Sequence, residues 1–355
     1  MDSLSQAALG AAVVVATMGR RTAVWKAAAW GAVLGTLPDL DALIDHGDPI
    51  ANMTLHRAES HALLWLTLAS VPLAWLIAAL QRDGPAGHAL GAPAGPRVGP
   101  LASPTWRRWW LAVWLALITH PLLDAMTVYG TQLALPFTSH PYGVGSMFII
   151  DPLYTLPLLV GVVWAMRSRG SARGLAANRW GLVLSCAYLA WSAVAQAWVR
   201  DQAHTALQAA GLAPERVLVT PAPLTTLLWR VVAVTPDGRY HEGFRALLDP
   251  ADRPWRFDAF DQGRQWLPEA AGLAPITRIL AFSHGFWKLS RGEQGLVVTD
   301  LRMGQEPGYV FTFEVPRGAD GQAATPRQIG GRLDVGRGLR WLGPRILGED
   351  LPPPR

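Results

Sequence analysis

Imidazoles and carboxylates recur together in the first half of this chain, in surroundings too apolar for ordinary solvated side chains. Leu37-Pro38-Asp39-Leu40-Asp41 sets two carboxylates beside a proline, and Asp45 and His46 follow. His56-Arg57-Ala58-Glu59-Ser60-His61 packs two imidazoles, a guanidinium and a carboxylate into one short block. In Thr119-His120-Pro121-Leu122-Leu123-Asp124 the His and Asp stand at i and i+4, so a helix would show both on one face. Asp151-Pro152 completes the set. Imidazole nitrogens with carboxylate oxygens suit zinc or a similar borderline divalent ion, and a catalytic site of that kind keeps one position open for water.

Each piece alone has a plain alternative. Asp39-x-Asp41 can be a solvated helix end, His56 and His61 can be loop histidines in water, and Asp151 before a proline can simply cap a helix. The His120/Asp124 pair lies in an apolar run, where a buried polar pair needs a partner of some kind.

The elements that must bring these residues together are membrane helices. Crossing a bilayer takes about 20 apolar residues in a helix, because no backbone group can go unpaired in hydrocarbon. Six runs qualify: residues 4–19, 23–44, 61–80, 108–128, 148–166 and 179–199. Trp25, Trp106, Trp109, Trp164, Trp180 and Trp198 near their ends resemble interfacial anchors. Arg20, Arg21 and Lys26 fall between runs one and two, Arg82, Arg97, Arg107 and Arg108 between three and four, and Arg167, Arg169, Arg173 and Arg179 between five and six. The opposite connections, residues 45–60 and 129–147, hold only Arg57. The positive-inside rule then puts the N-terminus, both Arg-poor loops, all the polar clusters and the C-terminal segment on the periplasmic side. Sequence-distant His and Asp residues thereby share one membrane face.

Composition agrees. Charged residues are 16% of the chain, against roughly 25% in soluble proteins, and apolar residues are 50%. A mean hydropathy of only +0.19 indicates a wetter segment beside the spans. We divide the chain into a helical membrane domain, residues 1–199, and a small β-rich periplasmic domain, residues 200–355. In the latter, Trp229 to Thr235, Pro236-Asp237-Gly238 and Arg239 to Leu248 read as a hairpin, with further strands at Leu296 to Met303 and Tyr309 to Val315. His241 and His284 read as surface or packing histidines. The Gly/Pro/Ala-rich stretch from Gly84 to Pro104 reads as a cytoplasmic linker. A single cysteine, Cys186, rules out an intrachain disulfide and a cysteine-based zinc knuckle. The net charge of +5 comes from arginines clustered between spans, which argues for topology rather than a nucleic-acid surface. The first apolar run follows an acidic Met1-Asp2 start and is expected to stay in the mature chain.

Met1 to Gly10, Gly35 to Asp41, the His56-to-His61 block, Thr119 to Asp124, Tyr129-Gly130-Thr131 and Ile150 to Tyr154 together resemble the bacterial inner-membrane metal-dependent hydrolases, a family distantly similar to zinc-dependent phospholipase C. The resemblance covers residues 1–166, and the segment from Pro221 to Arg230 is similar to an extension in one branch. It implies Asp39, His56, His61, His120 and Asp124 as metal ligands, with Asp41 and Asp151 close by. The chain departs from the family block at Ala58, Glu59 and Ala62, and has Gln6 where many members have His.

The reading is a zinc-type, metal-dependent hydrolase acting at the periplasmic face on a phosphoester or ester, lipid-linked or free. Asp41, Asp151 or Glu59 would accept the proton, and Arg57 would hold anionic charge or pair with a carboxylate. The rival from another class is a metal-stabilised scaffold whose periplasmic domain binds a partner. A transporter ranks behind both, since its polar residues would be spread through the membrane depth rather than gathered at one end.

Overall fold

A computed structural model describes residues 1–81, 104–318, 323–330 and 335–355. The linker from Gly84, with Arg82 and Arg97, lies outside the described residues up to residue 103.

The N-terminal part is helical: α1 (Ser3–Met18), α2 (Val24–Thr36), α3 (Pro49–Leu55), α4 (Leu63–Leu80), α5 (Pro104–Asp124), α6 (Pro152–Arg167) and α7 (Ala172–Ala209). Among the described residues, α4 and α7 are long and apolar enough to cross a membrane, while α1 and α6 are apolar but shorter. Two of the six expected spans, 61–80 and 179–199, are thus matched by such helices. The second run is broken. Pro38 offers no N–H and its ring collides with the preceding turn, so α2 stops at Thr36 and residues Pro38–Leu43 tighten into a 3-10 turn. The connection that follows contains α3, capped by Asp48, whose carboxylate accepts from Ile50 N and Ala51 N.

α1 is the central helix, packed against α2, α5, α6 and α7. Glycines permit the α1–α2 approach. A Cβ on Gly10 would sit 2.2 Å from the Gly31 carbonyl oxygen, and one on Gly35 would sit 2.4 Å from that of Gln6. Small residues spaced four apart let helix backbones come this close where packing drives association. At one end of the bundle Arg20 Nε donates to the Gly170 carbonyl at 3.1 Å, joining the basic α1–α2 and α6–α7 turns. The polar clusters lie at the other end. α4, α6 and α7 turn large apolar side chains outward, among them Leu68, Trp75, Val160, Trp164, Val183 and Trp191.

The C-terminal part carries two antiparallel four-stranded sheets. One has the order β1 (Arg216–Pro221), β2 (Leu228–Val234), β3 (Arg239–Ala246), β4 (Asp258–Asp261). After the short helices α8 (Leu267–Ala270) and α9 (Ala274–Phe282), the other is built from β5 (Trp287–Arg291), β6 (Gly295–Asp300), β9 (Thr312–Pro316) and β10 (Arg327–Gln328), in the order β10-β9-β6-β5. β7 (Gly304–Gln305) and β8 (Gly308–Tyr309) form a small ribbon, and α10 (Val335–Ile346) follows. The expected hairpin is β2–β3, with Val234 opposite Tyr240 across the Pro236-Asp237-Gly238 turn.

The helical and β parts share a core. α7 runs on past residue 199, the expected boundary, to Ala209. Its Ala195, Val199 and Ala203 pack against Val219, Trp229 and Val231 of the first sheet. Ile50, Met53 and Tyr129, from the loops at the polar end of the bundle, join Ile276, Phe282, Leu289 and Phe313 in the core of the second.

Candidate metal centre

Four side chains from three elements converge at the polar end of the bundle: Asp39 from the 3-10 turn after α2, His61 from the turn before α4, and His120 and Asp124 from the last turns of α5. One ligand atom from each lies within 4.8 Å of every other. The Nε2 atoms of His61 and His120 are 3.1 Å apart. Asp39 Oδ1 stands 3.4 Å from His61 Nε2 and 3.3 Å from His120 Nε2, and Asp124 Oδ2 stands 3.3 Å from both. Donor atoms this close together could be bridged by a single small cation, whose bonds to nitrogen and oxygen run at about 2 Å.

The surrounding hydrogen bonds fix what each atom offers. His120 Nδ1 lies 2.6 Å from the Gly35 carbonyl oxygen, which can only accept, so Nδ1 carries the proton and Nε2 presents a lone pair. His61 Nδ1 lies 2.8 Å from Ser60 Oγ, and that hydroxyl donates to Asp41 Oδ2 at 2.5 Å. Nδ1 of His61 is thereby the donor again, and its Nε2 also presents a lone pair. Two lone pairs facing each other at 3.1 Å repel unless a proton or a cation lies between them. Asp124 adds a second observation. Its Oδ1 accepts from Gln6 Nε2 at 3.1 Å, from the Met1 amine and from Arg57, whose Nη2 is 3.3 Å away. Its Oδ2 is fully buried with no hydrogen-bond partner. An orphaned carboxylate oxygen in a dry site is costly unless something positive meets it. The four residues fit a divalent ion.

Three of the four, His61, His120 and Asp124, are buried, while the Asp39 side chain is 19% exposed and marks the approach from solvent. Asp41 lies beyond the end of α2, where burial pushes its carboxyl up and hydrogen bonds from His56, His61 and Ser60 overcome this, holding it below the usual carboxylate range.

The remaining expected residues are placed differently. His56 is not among the four. Its Nδ1 meets Asp41 Oδ1 at 2.8 Å, its side chain is 23% exposed, and its ring stands edge-on to His61. The likeness that suggested a fifth ligand does not register that Asp41 lies between. Asp41 also accepts from Arg57 N at 3.0 Å, so its oxygens organise the His56-to-His61 loop instead of facing the cluster. Arg57, at positive φ, is buried on Asp124, Thr127 and the Tyr129 ring, so it pairs with a carboxylate here. Glu59 is exposed and makes no side-chain hydrogen bond or ion pair with the cluster. Asp151 caps α6 by accepting from Leu153 N at 3.0 Å and accepts from the Tyr188 hydroxyl at 2.9 Å, apart from the four. His241 is buried on β3, and His284 lies against His140, both away from the centre. Sequence reasoning missed Ser60 and the Gly35 carbonyl as orienting groups. The residue before His61 was a signal in plain view for the first, whereas the second is backbone and left none.

Residues 1–199 match the family model described as YdjM inner membrane protein. No curated protein and no solved structure matches the chain. The match carries an inner-membrane identity, and the narrower likeness to hydrolases and phospholipase C is not shown by it.

Proposed function

Because the chain belongs to the YdjM inner membrane protein family, we propose that it is a metal-dependent hydrolase of that membrane, working at the periplasmic face on a phosphoester or ester. In this reading the shorter apolar helices are embedded too, to make a six-helix membrane domain: α6 turns Leu156, Val160 and Trp164 outward while α1 is wrapped by its neighbours. The basic turns joined by Arg20 and Gly170 face the cytoplasm, and the metal centre and β-rich part face the periplasm.

One observation carries the proposal: two imidazole lone pairs and an unpartnered buried carboxylate oxygen converge on a single point that Asp39 opens toward solvent. Asp39, His61, His120 and Asp124 would hold the ion. A divalent ion there supplies Lewis acidity, which draws a water's pKa toward neutrality and polarises the scissile group. The chain's own groups do the rest. Asp41 holds His56 by Nδ1, leaving Nε2 at the half-exposed edge to take the proton of the attacking water. The water oxygen bonds to the phosphorus or acyl carbon, the ester bond breaks, and the departing alcohol oxygen takes the proton back from His56 Nε2. Arg57 and Gln6 fix Asp124 from behind so that only Oδ2 is offered.

A second reading is favoured by the number of donors. Four protein ligands close a tetrahedral shell, as structural zinc sites do, and the ion would then pin the helix ends beneath a partner-binding β part. Metal analysis of the purified full-length protein, with a screen of phosphodiesters and lipid esters, separates the two. Hydrolysis lost in both His120→Ala and Asp124→Ala, with helical content intact, supports catalysis. Stoichiometric metal without turnover on any ester supports the scaffold.

A further inference from the structure

The turn that delivers Asp39 and Asp41 also carries bare aliphatic side chains. Leu40, Leu43 and Ile44 are 55%, 83% and 56% exposed, beside carboxylates that reach inward to His61, His120 and His56. In a 3-10 turn residues three apart eclipse, so Leu40 and Leu43 form one ridge along the outside. Across the site, Leu63 N donates to the Leu133 carbonyl at 3.0 Å, and that segment leads to Phe137, which is 82% exposed. Phe137 lines a shallow apolar groove with Leu64, Leu133, Leu135 and Tyr142. It is thus continuous with the outward surface of α4, where Leu64, Trp65 and Leu68 are also exposed.

Depth follows from α4. That helix is long enough to cross the bilayer and begins two residues after His61, so the metal centre lies where a span leaves the hydrocarbon. A mouth open to bulk water would have no use for this ridge, whereas at the acyl–headgroup boundary apolar side chains are solvated by lipid. We infer that the mouth of the centre is immersed in the outer-leaflet interface, and that its substrate is an amphiphile anchored in that leaflet. The polar ester lies at Asp39 and the acyl chains lie along Leu40, Leu43 and Ile44. The substrate half of this inference rests on the hydrolytic reading, while the immersed mouth does not.

Two measurements keep the halves apart. Spin labels at Leu43→Cys, Phe137→Cys and, as a reference on the β part, Asp252→Cys are introduced with Cys186→Ser into full-length protein in nanodiscs of phosphatidylethanolamine and phosphatidylglycerol. Labels at 43 and 137 are expected to collide with oxygen several-fold more, relative to a water-soluble nickel chelate, than the label at 252. Equal ratios at all three overturn the immersed mouth. Turnover is then compared between long-chain phosphatidylglycerol in nanodiscs and its water-soluble short-chain analogue. The wild type is expected to favour the long-chain ester, and Leu43→Asn/Ile44→Asn to narrow that preference about tenfold. Equal kcat/KM for the two esters in the wild type, or a preference unchanged in the variant, overturns the substrate assignment. No turnover on either overturns the substrate assignment, leaves the hydrolytic reading to the ester screen above, and leaves the label result standing.

Discussion

His56 and His61 belong to one short block, yet only His61 reaches the convergence point, and the difference lies in Asp41. Its Oδ1 holds His56 and its Oδ2 receives the Ser60 hydroxyl that orients His61. One carboxylate therefore separates a candidate ligand from a neighbour. His56→Ala should keep stoichiometric zinc on equilibrium dialysis while its turnover falls about 100-fold or more, the scale of a lost general base. Loss of the metal from this variant would return His56 to the ligand set. The sequence could indicate that His61, His120 and Asp124 work together, because apolar surroundings make such residues costly without a partner. It could not rank His56 below them, because rank depends on which oxygen of Asp41 each loop residue meets. Glu59 and Asp151 were plausible proton acceptors by type alone, but one is exposed and the other is occupied as a helix cap.

Two turns and one helix end supply the four candidate donors, so a shift in helix packing would pass directly to the site. Gly35 is the sharpest example. Its carbonyl fixes the His120 tautomer, and its missing Cβ admits the Gln6 backbone. Gly35→Ala should destabilise the fold by about 1–3 kcal/mol through overpacking and also lower metal occupancy, read by thermal unfolding and metal analysis together. Unchanged occupancy in a destabilised variant would mean that the Gly35 carbonyl does not set the ligand. The helix positions themselves were readable from apolar runs, with α2 as the exception: the run extends to residue 44 but Pro38 ends the helix early. That interruption is what frees Asp39 to bend back over α5. α3 was hidden, since seven residues between turns are too few for periodicity to register.

At the scale of the whole molecule, the β part bears on the metal centre instead of hanging from it. Arg302 pairs with Asp300 and donates to the Tyr129 carbonyl at 3.2 Å, and the Tyr129 ring lies under the Arg57 guanidinium that holds Asp124. Arg302→Ala leaves Asp300 buried and unpaired, which should cost roughly 3–5 kcal/mol. Hydrogen exchange should then quicken in the loop 125–147 as well as in β6, whereas exchange confined to β6 would show that the two parts are mechanically independent. The split into a helical and a β-rich part was legible from composition and alternation. Their shared core was not, because Ile50, Met53 and Tyr129 look like loop residues until the second sheet covers them.

The claim on which the account rests is that Asp39, His61, His120 and Asp124 grip one ion. X-ray absorption at the zinc edge of the loaded full-length protein tests it most directly. A four-coordinate shell with two imidazole nitrogens and oxygen donors at about 2.0–2.2 Å is expected, reduced to one imidazole in His120→Ala. A shell with three imidazoles, or one unchanged by His120→Ala, would contradict it.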